Sequence, residues 1–350
     1  MMKERRRWVL GLVLLILSIV FTVLWWMVIQ FYRDYQNIPS NPLIGNKPST
    51  VAALKEQGFP FSFLVIGDTS GGRTTETLID MALRKGTPSF MIILGDFVKK
   101  PDIWNHRFFL TEMASERRLP FPIYLVPGNH DIDYTGSKIK QKERRVTPEI
   151  YESLWGARNF DFVFNQCLFI ISEIDPRNRL GYLSYLHQIL SGKGEGKKHI
   201  FVFMHIPPKG LAPHIETSHP DEEAFFSLLE KHKEVTCFFG DYHGHWRGQK
   251  RGVNYVVTGG GGRLKRRQSE WGKFNHILRV TVDKGKVAEE IITVEGQIGV
   301  EDRFEEKIFT LLFPIIQNAF WILYFVFVVL LIGSGYAVSK LVRRLRSYGI

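Results

Sequence analysis

FPIYLVPGNHD, residues 121–131, runs from an apolar segment through a Pro-Gly turn into Asn129, His130 and Asp131, three side chains that bind metals or move protons. Each would be costly to bury without a partner. Set side by side at the lip of a buried strand, they call for either turn chemistry or an active site. An apolar run without polar alternation reads as a strand covered on both faces, which belongs in a layered α/β core.

The rest of the middle of the chain follows the same plan. SFLVIGD (62–68) and SFMIILGD (89–96) read as buried strands, each ending in Gly-Asp. RTTETLIDMALRKG (73–86) has helical spacing and stops at a glycine, and PDIWNHRFFLTEMASERR (101–118) reads as a second helix with proline at its start. NFDFVFNQCLFIISEID (159–175) reads as a pair of strands, LGYLSYLHQIL (180–190) and DEEAFFSLLEKHK (221–233) as helices, and KHIFVFMH, VTCFFGD and VNYVVTGG as further strands. Cys167 and Cys237 lie inside two of these apolar runs and are expected to be buried thiols. The Gly259–Gly262 run lacks a following Lys-Ser or Lys-Thr, which argues against a phosphate-cradling P-loop.

Five strand ends therefore carry unusual residues: Asp68, Asp96, Asn129-His130-Asp131, His205, and the run from Gly240 to His245. Singly, an Asp after Gly is an ordinary turn residue. Together, at the carboxyl ends of strands where open sheets bind ligands, they supply carboxylates, an amide oxygen and imidazoles. That set suits a pair of borderline divalent cations.

The order GD, GD, GNHD, H, GDYHGH over about residues 61–265 resembles the calcineurin-like metallophosphoesterase family, and YESLWGARNFDFVF and GVNYVVTGGGG resemble its intervening runs. The resemblance implies a four-layer α/β/β/α sandwich holding two divalent ions (Mn, Fe or Zn), with a hydroxide bridging them as the nucleophile toward a phosphoester. It implies Asp68 as a ligand of one ion, Asp96 as the bridge, and Asn129 and His205 as ligands of the other. His130 would serve the leaving oxygen, and Asp131 would hold the His130 ring. Two departures stand out. The family's Asp-x-His is here Asp68-Thr69-Ser70, so Ser70 or water must replace an imidazole. Its Gly-His-x-His is here Gly240-Asp241-Tyr242-His243-Gly244-His245, so the ligand pair is Asp241/His243 or His243/His245. The first register is preferred because Gly240 and Gly244 bracket that pair.

Charge sits at the ends. Of the formal +11, residues 1–7 contribute +3 and residues 333–350 contribute +4, leaving +4 for everything between, so no nucleic-acid partner is expected. Residues 8–29 and 311–333 are uncharged apolar runs long enough to cross a bilayer as helices. The reading is thus a cytoplasmic tail 1–7, a span 8–29, a linker 30–58, a phosphoesterase domain 59–300, a linker 301–310, a span 311–333 and a cytoplasmic tail 334–350. Arg5–Arg7 and Arg343–Arg346 flank the spans on one side, which puts both termini in the cytoplasm and the domain across the membrane. No charge lies within the spans, which argues against a channel or transporter. Basic residues 138–145 and 263–267 near the site fit an anionic, lipid-linked phosphate, or are solvated loops. The rival to a membrane-tethered phosphatase or phosphodiesterase is a catalytically impaired binding or scaffold protein on the same fold.

Overall fold

The computed structural model describes residues 41–70, 73–211, 215, 221–262 and 274–294, together with scattered residues of both chain ends. The chain divides into two compact units, Met1–Pro39 with Lys307–Ile350, and Ser40–Glu306. The second unit carries all the polar strand ends.

Its described strands are β1 (Phe61–Ile66), β2 (Met91–Ile93), β3 (Ile123–Leu125), β4 (Phe160–Phe164), β5 (Cys167–Ile171), β6 (Ile200–Met204), β7 (Val235–Phe239), β8 (His245–Lys250), β9 (Val253–Thr258), β10 (Asn275–Asp283) and β11 (Lys286–Val294). They form two sheets, in the orders β11-β10-β1-β2-β3 and β4-β5-β6-β7-β9-β8. β1, β2 and β3 run parallel, as do β5, β6, β7 and β9. Parallel pairing with both faces covered explains why these segments are mostly apolar, with Ser62, Thr236, Asn254 and Thr258 as the exceptions.

The two-residue period of a strand sorts β1 between two cores. Phe61, Phe63 and Val65 face an aromatic core between the sheets, shared with Phe90, Phe169 and Phe201. Phe63 stacks on Phe90 at 5.1 Å and meets Phe169 edge-on at 5.5 Å. Leu64 and Ile66 face the other way, onto α2 (Arg73–Leu83), α3 (Ile103–Leu110) and α4 (Pro148–Trp155), which follow the short α1 (Pro48–Ala52). The second sheet turns Leu168, Val202 and Cys237 onto α5 (Gly181–Lys193) and α6 (Glu222–Leu229). The layers are helix, sheet, sheet, helix, the sandwich expected from the sequence. Cys167 and Cys237 are buried and unbridged.

Three features differ from the sequence reading. The expected helix over 101–118 is α-helical only to Leu110 and continues as a π-helical turn, Thr111–Glu116. Strands β8, β10 and β11 were not anticipated. The expected linker 30–58 is part of the packed domain from Ile44 onward. Ile44 is 2% exposed, and the Asn46 side chain donates to Leu125 O (2.7 Å) and Ala157 O (2.9 Å) while accepting from Leu125 N (3.0 Å).

The expected spans 8–29 and 311–333 lie partly outside the described residues, and the basic residues 263–267 lie wholly outside them. Among the described residues no helix is long and apolar enough to cross a membrane.

Candidate metal centre

The site is assembled from the carboxyl ends of five parallel strands: β1 leads to Asp68, β2 to Asp96, β3 to the Asn129 turn, β6 to His205 and β7 to Asp241. Asp68, Asp96 and Asp241 all hold left-handed backbone conformations (φ 54°, 51° and 58°), as does Ser70 (φ 49°). Each costs roughly 1–3 kcal/mol in a residue with a Cβ, and such strain gathers where a side chain must be aimed. The turns interlock: Asp68 N donates to Gly95 O (3.1 Å) and Gly240 N to His205 O (2.9 Å).

Asp68, Asp96 and His205 bring ligand atoms within 4.8 Å of one another, all buried. His205 Nε2 lies 3.4 Å from Asp96 Oδ1 and 3.7 Å from Asp241 Oδ1, and His243 Nε2 lies 3.5 Å from Asp68 Oδ1. His205 Nδ1 donates to Leu94 O (2.7 Å), which turns Nε2 inward. Asn129 Oδ1 is 3.0 Å from His205 Nε2 and 3.2 Å from both carboxylate oxygens of Asp96. That oxygen thus faces both carboxylate oxygens of Asp96 and the inward nitrogen of His205. Burial lowers the pKa of His205, but the Asp96, Asp68 and Asp241 carboxylates outweigh it and raise the value to about 9. A pocket that attracts a proton this strongly attracts a cation. Carboxylate, amide and imidazole donors converging at these distances fit a divalent ion of the borderline class.

The GNHD turn carries a correction. His130 and Asp131 do not form the expected pair. His130 is half exposed; Nδ1 meets Lys99 O at 2.9 Å, and Nε2 stands 3.9 Å from Asp96 Oδ2. Asp131 is fully buried and turned away. Its Oδ2 accepts from Gly128 N (2.7 Å) and Asp96 N (2.8 Å), and its Oδ1 from Val98 N (3.2 Å). Adjacent residues in a turn point in different directions, so neighbours in sequence need not be partners in space. Burial, and then the Asp96 charge, push the Asp131 carboxyl up to about 8 against the pull of those N–H groups. Behind it, His106 bridges Trp155 Nε1 and Asp131 O, both at 2.9 Å. Desolvation drops its pKa to about 3, so it stays neutral.

Asp241 and His243 reach the cluster, while the His245 ring packs 5.4 Å from His276, which itself bonds Thr258 Oγ1 at 2.9 Å. Burial lowers the His245 pKa to about 4, with Arg247 adding to the effect. We expect His243→Ala to lower bound metal per chain and His245→Ala to leave it unchanged, as measured by elemental analysis after dialysis. Ser70, proposed from sequence to replace an imidazole, directs its hydroxyl toward Asp96 O at 3.5 Å.

The Gly259–Gly262 run, set aside in sequence as no P-loop, lines the other side of Asp68. A Cβ on Gly259 would stand 2.5 Å from Asp68 Oδ2, and Gly261 N donates to Gly67 O (2.8 Å). Asn275 holds the run by donating to Gly260 O (3.1 Å) and Gly262 O (2.8 Å). Four consecutive glycines were the visible signal of this close approach. Gly128 is equally constrained, since a Cβ there would meet Asp96 N and Oδ1 at 2.3 Å.

A two-sheet sandwich with acid, amide and imidazole groups at one edge defines a metallophosphoesterase-type protein. Residues 61–245 match the family described as calcineurin-like phosphoesterase, and the chain belongs to that family. Among solved structures, a purple acid phosphatase from yellow lupin (Lupinus luteus) overlaps with a TM-score of 0.52 at 14% identity, covering 69% of this chain and 53% of that longer one. A dimetal phosphatase from Danio rerio overlaps at 0.43 and 14% identity, covering 67% of this chain and 99% of that one. A search of curated proteins finds no match.

Proposed function

We propose that the protein is a metal-dependent phosphoric ester hydrolase tethered to a membrane. The convergence of Asp68, Asp96, Asn129, His205, Asp241 and His243, with His130 Nε2 3.9 Å from Asp96, carries the proposal. Two divalent cations held by those six side chains would polarise the phosphoryl group and lower the pKa of the attacking water. The chain's own part is to fix geometry and move protons. Asp96 and Asn129, fixed at the ends of their strands, would hold the cations where the phosphoryl group binds. His130, anchored through Nδ1, presents Nε2 to the side from which the alcohol departs. As the water oxygen loses a proton to solvent and bonds to phosphorus, and the P–O bond to the alcohol breaks, His130 delivers its own proton to the leaving oxygen.

The uncharged runs 8–29 and 311–333 support the tether. So do their described helical residues, which expose large apolar side chains such as Leu17 (58%), Trp26 (62%), Ile322 (68%) and Phe325 (67%). Such surfaces suit lipid as solvent. The basic flanks favour cytoplasmic termini and a domain on the opposite side, with phosphoesters, lipid-linked ones included, as substrates.

Full-length protein in detergent is expected to hydrolyse bis(para-nitrophenyl) phosphate or para-nitrophenyl phosphate with Mn²⁺ and to lose the activity with EDTA. His130→Ala should lower kcat by roughly 10²–10⁴ while leaving metal content unchanged. Absence of turnover of both esters in Mn²⁺, Fe²⁺ and Zn²⁺ would sink the reading and leave a scaffold role.

A further inference from the structure

Beside the metal centre lies a cleft of about 400 Å³ that Asn129 and His205 help to line. Its size is in the range of small-molecule sites and exceeds what a phosphate group alone requires. Three segments build it: the loop after the GNHD turn, the segment between β5 and α5, and the residues after His205. Ile174 and Ile206 give an apolar lining, and Tyr134 a firm wall. The Tyr134 hydroxyl donates to Glu173, which is 3% exposed and paired with Arg158. A ring held this way is ordered before any ligand arrives.

Two cations complete the lining. Lys138 Nζ donates to Asn129 O, so its ammonium sits at the metal end. Arg179 stands on the β5–α5 segment and differs from its neighbours. Arg158 and Arg177 are both committed to Asp175 (3.1 and 2.8 Å), whereas no carboxylate among the described residues pairs with Arg179. Arg179 is exposed along this cleft and, without such a partner, its guanidinium is available to an external anion, which it can hold through two N–H donors.

We propose that the cleft receives the alcohol portion of the ester, and that this portion carries a second anionic group, a carboxylate or a further phosphate, held by Arg179. The assignment rests on the phosphoesterase reading above, so its test has one arm that does not require turnover. Three esters probe it: phenyl phosphate, para-carboxyphenyl phosphate and para-phenylene bisphosphate. The wild type is expected to favour one or both of the latter two, and the better of them tells carboxylate from phosphate. Arg179→Ala should lower kcat/KM for the favoured ester about tenfold or more, through KM, and change phenyl phosphate less than twofold. In the second arm, calorimetry compares benzylphosphonate with para-carboxybenzylphosphonate and para-phosphonobenzylphosphonate on wild type and variant. If no ester turns over but a dianionic phosphonate still binds more tightly in an Arg179-dependent way, the catalytic reading fails and the cleft assignment stands. Equal treatment of all three esters and all three phosphonates by the wild type, or a uniform loss in the variant, overturns it.

Discussion

Asp96→Asn is expected to abolish metal retention and lower phosphoesterase activity by a factor of 10³ or more, about 4 kcal/mol of transition-state stabilisation. The expectation follows from position. One Asp96 oxygen is 3.4 Å from His205 Nε2, and both are 3.2 Å from Asn129 Oδ1. Asp96 reaches both sides of the cluster, His205 Nε2 at 3.4 Å and His130 Nε2 at 3.9 Å. The amide keeps an acceptor for His130 N, which Asp96 Oδ1 now serves at 2.8 Å, so the turn can survive while the charge is lost. Elemental analysis, activity and near-UV circular dichroism on the same preparation separate the effects. Full metal content in a folded Asp96→Asn protein would remove Asp96 from the ligand set.

The positions of Asp68, Asp96, Asn129 and His205 were legible because each follows a mainly apolar run. A charge after SFMIILG has no face to hide on, so it must mark the strand's end and the loop it enters. The sandwich was legible for the same reason: apart from β4, Ser62 in β1 and Thr236 in β7, the strands β1 through β7 are apolar on both faces. The missed strands lack that mark. β8 reads HWRGQK, β11 alternates KVAEEIITV, and each forms the outer edge of its sheet, where one face or one side meets water. β10 hid a different way. Arg279 interrupts its apolar run, yet that arginine is 7% exposed and donates to Ala82 O (2.6 Å), Gly86 O (2.5 Å) and Ser62 Oγ (2.7 Å). A buried arginine with three internal acceptors is invisible until the acceptors' positions are known. The role of Asp131 was misread from the same cause. Its partners come from residues 96, 98 and 128, and only the fold brings the first two beside it.

That tertiary role makes Asp131→Ala the substitution with the largest expected effect on stability. Three backbone N–H groups, from Gly128, Asp96 and Val98, end on its fully buried carboxyl group. An orphaned buried donor costs about 1–3 kcal/mol, so leaving these three unmatched costs about 3–5 kcal/mol in all. For a domain of this size that corresponds to a fall of about 10 °C in Tm. Asp131→Asn should lose less, because its oxygen can take the Gly128 and Asp96 donors while only its NH₂ confronts Val98 N. The order wild type, Asn, Ala should persist in EDTA, since the strapped turns belong to the scaffold. Metal binding would add a further gap only through the native state's affinity. If the Ala variant instead melts with the wild type once chelator is present, Asp131 acts through the metal ligands alone, and its three hydrogen bonds contribute nothing net to the fold.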